Sequence, residues 1–100
     1  MPILSKDQIL AYCREHKQEF AQIYGVRSMG LFGSIVRDEL HESSDIDIVI
    51  EMFPDKKNLT NFFALQQCLE HEFGKKVDLG IESSLKEFIR RRIAKEIIYV

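Results

Sequence analysis

The sequence predicts an α+β protein of one domain, in which helices pack mainly on one face of a small β-sheet. Short β-rich segments alternate with segments of helical periodicity in the order α-β-α-β-α-β-α. The chain has 100 residues, a length that suits a single two-layer core. Its hydrophobic content of 45% and charged content of 30% are ordinary for a globular protein.

The seven elements are separated by helix caps and glycines. The first helix is expected to begin at a capping box of Ser5 and Gln8 and to end at Gly25. Gly74 is expected to end a later helix. Asn58 or Thr60 is expected to cap that later helix. Strands are predicted over 26–32, 45–52 and 76–81, and two further helices over 35–40 and 85–96. The last helix has a capping box of Ser84 and Glu87.

Apolar residues at helical spacing identify the side chains expected to face the core. They are Ile9, Leu10, Cys13, Phe20 and Ile23 in the first helix, Leu59, Phe62, Phe63, Leu65, Leu69 and Phe73 in the later helix, and Leu85, Phe88, Ile89 and Ile93 in the last. His16 and the arginine run 90–92 are expected to be solvated. The apolar tail 97–100 can pack on the core, complete a small strand or meet a partner chain, so a homo-oligomer is plausible.

Charge and composition limit the classes of partner. A net charge of −2 gives no general attraction for nucleic acid or anionic membranes, and direct nucleic-acid binding is not expected. No apolar run approaches the ~18 residues needed to span a bilayer. Cys13 and Cys68 lack metal-ligand spacing and are predicted to be buried free thiols, which fits the reducing cytoplasm.

Two aspartates, Asp45 and Asp47, stand at the start of a segment rich in Ile and Val. Side chains alternate between the faces of a strand, so the two carboxylates share one face at a separation of about 6–7 Å. Paired carboxylates repel each other unless a cation lies between them. Because Mg²⁺ binds oxygen ligands together with substrate phosphates, the pair predicts a magnesium site.

Gly33 and Ser34 form a small-residue turn between the first predicted strand and helix 35–40. Glycine allows close approach of the backbone to an anion, and a helix beginning at Ile35 would present free N–H groups to a phosphate. The turn and the acids together predict a site for a metal-bound nucleotide or another metal–polyphosphate.

The spacing of these groups resembles a known motif. Gly33-Ser34, ten residues and then Asp45-Ile46-Asp47 are similar to the pattern of the polymerase beta-like nucleotidyltransferase superfamily. Arg37 and Ser44 resemble its small prokaryotic branch, the minimal nucleotidyltransferase (MNT) domain.

The resemblance extends over residues 26–100 and implies a mixed β-sheet. It includes Asp78, in the predicted strand 76–81, as the candidate third carboxylate. The chain departs from the family at Asp38, where many members carry glycine after the arginine.

Two-metal phosphoryl-transfer chemistry assigns roles to the motif residues. Asp45 and Asp47 are expected to hold a nucleotide-bound Mg²⁺ and to share a second Mg²⁺ with Asp78. Asp78 is also the candidate to accept the proton of the acceptor hydroxyl. Gly33 and Ser34 are expected to bind the β- and γ-phosphates.

The remaining polar residues of the segment have weaker assignments. Arg37 points toward the same phosphates or forms an ion pair with Asp38 or Glu39. Ser44 is expected to cap or brace the turn beside the acids, and His41 is not expected to be catalytic. The scattered histidines and the cysteines form no hydrolytic triad or zinc site.

MNT proteins resemble antitoxins paired with HEPN-domain ribonuclease toxins. This resemblance implies transfer of AMP from ATP, or from another nucleoside triphosphate, to a tyrosine of the toxin. One alternative is a catalytically silent subunit that neutralises its partner by binding. Another is a small-molecule adenylyltransferase for an aminoglycoside-like hydroxyl, against which the lack of a second substrate lobe counts.

Overall fold

A mixed β-sheet organises the fold. The computed structural model describes residues 5–39 and 44–100. The elements in these ranges are α1 (Lys6–Glu15), α2 (Lys17–Tyr24), β1 (Val26–Phe32), β2 (Ile46–Met52), α3 (Leu59–Phe73), β3 (Val77–Ile81), α4 (Glu87–Ala94) and β4 (Ile98–Tyr99), with 3₁₀ turns at Gly33–Ile35, Pro54–Lys56 and Glu82–Ser84.

The strand order of this sheet is β3-β2-β1-β4. The β1 strand is antiparallel to both of its neighbours, whereas β2 and β3 are parallel. A parallel pair needs a crossover connection, and α3 supplies it between β2 and β3. The predicted α+β fold with a mixed sheet is therefore confirmed.

One face of the sheet carries the main core. In register, Met29 of β1 lies opposite Ile50 of β2, and Leu31 lies opposite Ile48. Side-chain alternation places all four on this face, which α1, α2 and α3 cover. The residues that these helices bury in the core are Ile9, Leu10, Cys13, Phe20, Leu65, Leu69 and Phe73.

Helix α4 covers part of the opposite face. Val49 of β2, 1% exposed, lies on this face, and Ile93 of α4 is buried as well. Beyond α4, Ile97 lies over Gly30, since a methyl group added to Gly30 would lie 2.7 Å from Ile97 Cδ1. The expectation of helices mainly on one face therefore holds for three of the four described helices.

The apolar tail completes the sheet, the second of the three possibilities left open by the sequence. Strand β4 pairs Ile98 with Leu31 and Tyr99 with Gly30. The Val100 N–H then donates to the Met29 carbonyl at 2.9 Å.

Helix ends follow the predicted caps in most places. The capping box of Ser5 and Gln8 is present, Gly25 is left-handed at φ 76°, and Asn58 rather than Thr60 caps α3. The first helical segment is interrupted at His16, whose φ/ψ of −100°/8° separates α1 from α2. His16 was expected to be solvated, but it is half-buried and stacks on Phe20.

The structure corrects several predictions. The 35–40 helix is a 3₁₀ turn over Gly33–Ile35 followed by irregular turns, and its predicted last residue lies outside the described ranges. Helix α4 begins at Glu87, and no side chain caps it. The residues predicted for the core but exposed to solvent are Ile23, Leu59, Phe63 and Phe88.

Cys13 is a buried free thiol, as predicted, whereas Cys68 is only partly buried. Burial raises the pKa of Cys13 to about 12, so this thiol is unreactive at neutral pH. None of the helices in the two described ranges has the length and apolarity required to cross a bilayer.

We expect Gly30→Ala to lower the free energy of unfolding by about 1–3 kcal/mol, because the added methyl group overlaps Ile97 and forces residues 97–100 to shift. Urea denaturation measures this loss. Most of this loss should disappear when Gly30→Ala is made in an Ile97→Ala background, that is, when the double variant is compared with Ile97→Ala alone.

Gly80→Ala is the matched control. It lies in β3 of the same sheet, but an added methyl group there would meet its nearest atom, Leu85 Cδ2, at 3.9 Å. Equal losses at Gly30 and Gly80 would contradict the proposed contact of Ile97 with the sheet.

Candidate active site

Two predicted carboxylates lie side by side on neighbouring strands. Asp47 is the second residue of β2, and its partner in the parallel register is Asp78 of β3. Residues paired in register on adjacent strands point to the same face, about 5 Å apart. On its other side Asp47 pairs with Phe32, the last residue of β1, immediately before the Gly33 turn.

Asp45 stands one residue before β2 and is exposed. Its charge acts on Asp47, together with that of Asp78, so the three acids belong to one electrostatic cluster. Among residues 5–39 and 44–100, no group of three acidic, histidine or cysteine side chains is placed to hold a metal ion. The charge of Asp78, the residue paired with Asp47 in register, acts on Asp47 more strongly than that of Asp45.

The Asp47 carboxyl is electrostatically strained. Its pKa is raised to about 6, chiefly by burial and further by the charges of Asp78, Asp45 and Glu96. Arg37 acts in the opposite sense and favours the charged form. A carboxylate that is desolvated beside other acids is stabilised by a nearby cation.

Gly33 lies against this carboxylate. Its φ of +79° is in the left-handed region that favours glycine, and an added Cβ would overlap Asp47 Oδ2. The turn and the acid, which the sequence motif assigned to one site, are thus in direct contact. No other residue fits here without moving the acid or the backbone.

The turn differs from the predicted phosphate cradle. Its 3₁₀ geometry makes the Gly33 carbonyl accept from the Val36 and Arg37 N–H groups at 3.1 and 3.3 Å. The Gly33 N–H donates to Glu96 Oε1 at 3.0 Å. Ser34 is partly exposed beside it. The groups predicted to bind an anion thus belong to a tight turn and not to a helix N-terminus.

Arg37 forms ion pairs at the edge of the site. Its Nε donates to Glu39 Oε2 at 3.2 Å, and its Nη1 donates to Glu96 Oε2 at 2.8 Å. The pair with Glu39 is one of the two possibilities that the sequence left open. Glu96 was missed, because it lies 59 residues from Arg37 and no local pattern connects them.

Asp38 occupies a left-handed conformation at φ 56°. Aspartate is among the few residues besides glycine that adopt this region. The departure noted at this position therefore preserves a backbone conformation that glycine adopts readily.

Other predicted residues have peripheral places. Ser44 is partly buried next to Asp45, and His41 lies outside the described residues. All three arginines of the 90–92 run are exposed, as predicted, and Arg91 pairs with Glu87 at 2.8 Å. Two of them border a cleft of about 440 Å³ beside Val49, which none of the predicted site residues lines.

Residues 13–100 match the family model of the nucleotidyltransferase domain. The chain belongs to the nucleotidyltransferase family. The protein adenylyltransferase MntA of Thermococcus cleftensis is 39% identical over 100 residues, which cover 100% of both chains. A candidate protein adenylyltransferase of Methanocaldococcus jannaschii is 39% identical over 88 residues, covering 87% of this chain and 89% of the relative.

Solved nucleotidyltransferase structures share the fold. A candidate minimal nucleotidyltransferase superposes with a TM-score of 0.81 at 26% identity, covering 98% of both chains. A toxin–antitoxin crystal structure with AMP-PNP superposes with a TM-score of 0.68 at 23% identity, covering 96% of this chain and 72% of that chain. At this identity the second likeness is one of fold.

We expect Asp47→Asn to raise the free energy of unfolding by about 1 kcal/mol at pH 7.5 without divalent ions, because it removes a desolvated charge that solvent only partly screens. A raised pKa means that the folded state binds the proton more tightly than the unfolded state. Stability from this group is therefore greatest below about pH 4 and is lost as pH rises through 6. Urea denaturation in EDTA between pH 4 and 8 measures the loss, which the variant should lack.

Glu51→Gln, in the same strand, is the control with the opposite sign. Although burial raises the pKa of Glu51, hydrogen bonds from Ser83, Met52 and Lys57 lower it to about 2. The charged form is thus stabilised in the fold, and Glu51→Gln should destabilise the protein at pH 7.5. A destabilising Asp47→Asn would show that the charge at position 47 is structural.

Proposed function

We propose that this chain is a Mg²⁺-dependent protein adenylyltransferase that acts as an antitoxin in the cytoplasm. The hydroxyl oxygen of a partner protein attacks the α-phosphate of ATP, so that AMP is joined to this oxygen and pyrophosphate leaves. We take the hydroxyl to be that of a tyrosine of a HEPN-type toxin. The observation that carries the proposal is the contact of the Gly33 turn with the desolvated Asp47 carboxylate, in register with Asp78.

The residues present fit magnesium. The donors offered are carboxylate oxygens, which Mg²⁺ prefers, and Asp47 lies among negative charges that a divalent cation would neutralise. Asp45, Asp47 and Asp78 would hold the metal, and the triphosphate and water would supply the remaining ligands. When bound, Mg²⁺ would screen the phosphate charge and lower the pKa of the attacking hydroxyl.

The protein's own groups have separate tasks. The Gly33 N–H and the Arg37 guanidinium, both at the turn, bind phosphate oxygens, with Ser34 beside them. Asp78 is exposed on the same sheet face as Asp47 and accepts the proton of the incoming hydroxyl. Asp47 fixes the turn through its contact with Gly33.

The choice of a protein acceptor rests on relatives and on the open site. The Thermococcus cleftensis relative, which matches this chain over its whole length, is named a protein adenylyltransferase. The predicted site residues lie outside the 440 Å³ cleft and around an exposed Asp78, so a large acceptor can approach them.

The decisive experiment offers ATP labelled at either the α- or the γ-phosphate, with Mg²⁺, to the protein together with the partner that co-purifies with it. We expect α-label, and not γ-label, on the partner. Asp47→Asn and Asp78→Asn should reduce the labelling rate at least 10²-fold, the scale of loss for a group that acts in the transition state. EDTA should abolish labelling.

Glu51→Gln is the matched control, since it changes a carboxylate on the same strand outside the acid cluster and should retain wild-type labelling per folded molecule. Replacement of the acceptor tyrosine of the partner by phenylalanine should remove the label. Label that survives Asp47→Asn would refute the site. Binding and neutralisation of the partner without any label would establish the silent-subunit alternative.

A further inference from the structure

Glu96 holds the anion-binding groups of the turn. It lies two residues after the end of α4, and its side chain is 27% exposed. One carboxylate oxygen accepts the Gly33 N–H at 3.0 Å, and the other accepts Arg37 Nη1 at 2.8 Å. A single carboxylate therefore bridges a backbone amide and a guanidinium.

This pair of donors is the one that a phosphate would use. A backbone N–H beside a glycine and an arginine fork are common donors to phosphate oxygens, and both bind carboxylates in the same way. The Gly33 N–H is a single donor, so it cannot form a full hydrogen bond with Glu96 and with a phosphate at the same time. Arg37 is further constrained by its second pair, with Glu39 at 3.2 Å.

The charge of Glu96 also opposes a second anion. It is among the negative charges that act on Asp47, and Arg37 and the Gly33 N–H lower the pKa of Glu96 itself, so this side chain stays ionised at neutral pH. A triphosphate entering the turn would therefore meet a carboxylate in contact with both donors.

We infer that the Glu96 carboxylate occupies the triphosphate-binding site. A nucleotide must displace this carboxylate from the Gly33 N–H and Arg37 in order to bind. The inference rests on the proposed nucleotide chemistry of this site. Glu96 thus weakens nucleotide binding in the resting protein, and its displacement is a step of substrate entry.

The displaced residue belongs to the segment that completes the sheet. Ile97 lies over Gly30, and Ile98 and Tyr99 form β4. Since Glu96 directly precedes these contacts, movement of its backbone would loosen the segment. By linkage, anything that loosens the segment would favour nucleotide binding to the same extent.

The test is isothermal titration of wild type and Glu96→Gln with ATP and Mg²⁺. We expect ATP to bind the variant about tenfold more tightly than wild type. This is the gain for a triphosphate-binding site that Glu96 leaves free about one tenth of the time in wild type. AMP, which lacks the terminal phosphates, should bind both proteins equally. Glu87→Gln is the matched control, because Glu87 forms an ion pair with Arg91 at 2.8 Å within α4, away from the turn.

The outcomes separate this inference from the proposed function. Wild-type binding of ATP with an equal or weaker Glu96→Gln complex would overturn the inference, since Glu96 would then only position Arg37, and would leave the nucleotidyltransferase function intact. An ATP complex in neither protein would overturn both. If Glu96→Gln also bound AMP tenfold more tightly than wild type, Glu96 would lie outside the binding site of the terminal phosphates. This result would overturn the inference.

A second measurement uses the wild type and does not depend on the variant's fold. NMR can follow the Gly33 amide and the Glu96 side-chain carboxyl during the ATP titration. The inference requires both signals to shift together, with faster hydrogen exchange at Val100, whose N–H donates to Met29. A Glu96 signal unchanged at saturation would contradict displacement.

Discussion

The site depends on one constraint, which is the partial burial of the Asp47 carboxylate where a strand, a turn and two other acids meet. Burial and the charges of Asp78 and Asp45 raise its pKa to about 6. A fold selected for stability alone has no need of this arrangement, because an amide of the same size would avoid the desolvated charge. The cation that we propose as a ligand would relieve this strain, because a desolvated carboxylate beside other acids gains stability from an opposite charge.

The same carboxylate determines the shape of the turn. Because its Oδ2 fills the space where a Cβ would lie, position 33 must be glycine, and the left-handed φ of Gly33 directs the chain away from β1. The sequence motif singled out Gly33 for another reason, its expected approach to an anion at a helix N-terminus. Its expected helix dipole is absent, and the turn is closed by the Gly33 carbonyl and by Glu96.

Local signals predicted what local forces determine. Strand alternation placed Asp47 and Asp78 opposite the core face, and Ser5 and Gly25 marked helix ends, since caps and pleats depend on neighbours in sequence. Phe63 and Phe88 were assigned to the core because periodicity shows that a stripe is apolar but not how wide the surface facing it is. Glu96 lay beyond prediction, since its contact with Gly33 spans 63 residues and depends on how α4 crosses the sheet.

The C-terminal segment connects the stability of the sheet with the electrostatics of the site. Ile97 packs on Gly30 of β1. Gly33 follows directly after the end of β1, three residues beyond Gly30, and its N–H donates to Glu96. Each of these contacts is weak alone, because an ion pair at the surface contributes about 1 kcal/mol or less. They nevertheless act on adjacent residues of one short segment, whose Ile98 and Val100 also pack against the main core. The displacement of Glu96 that we infer would therefore act on residues 95–100, while α1, α2 and α3 keep the acids of β2 and β3 in place.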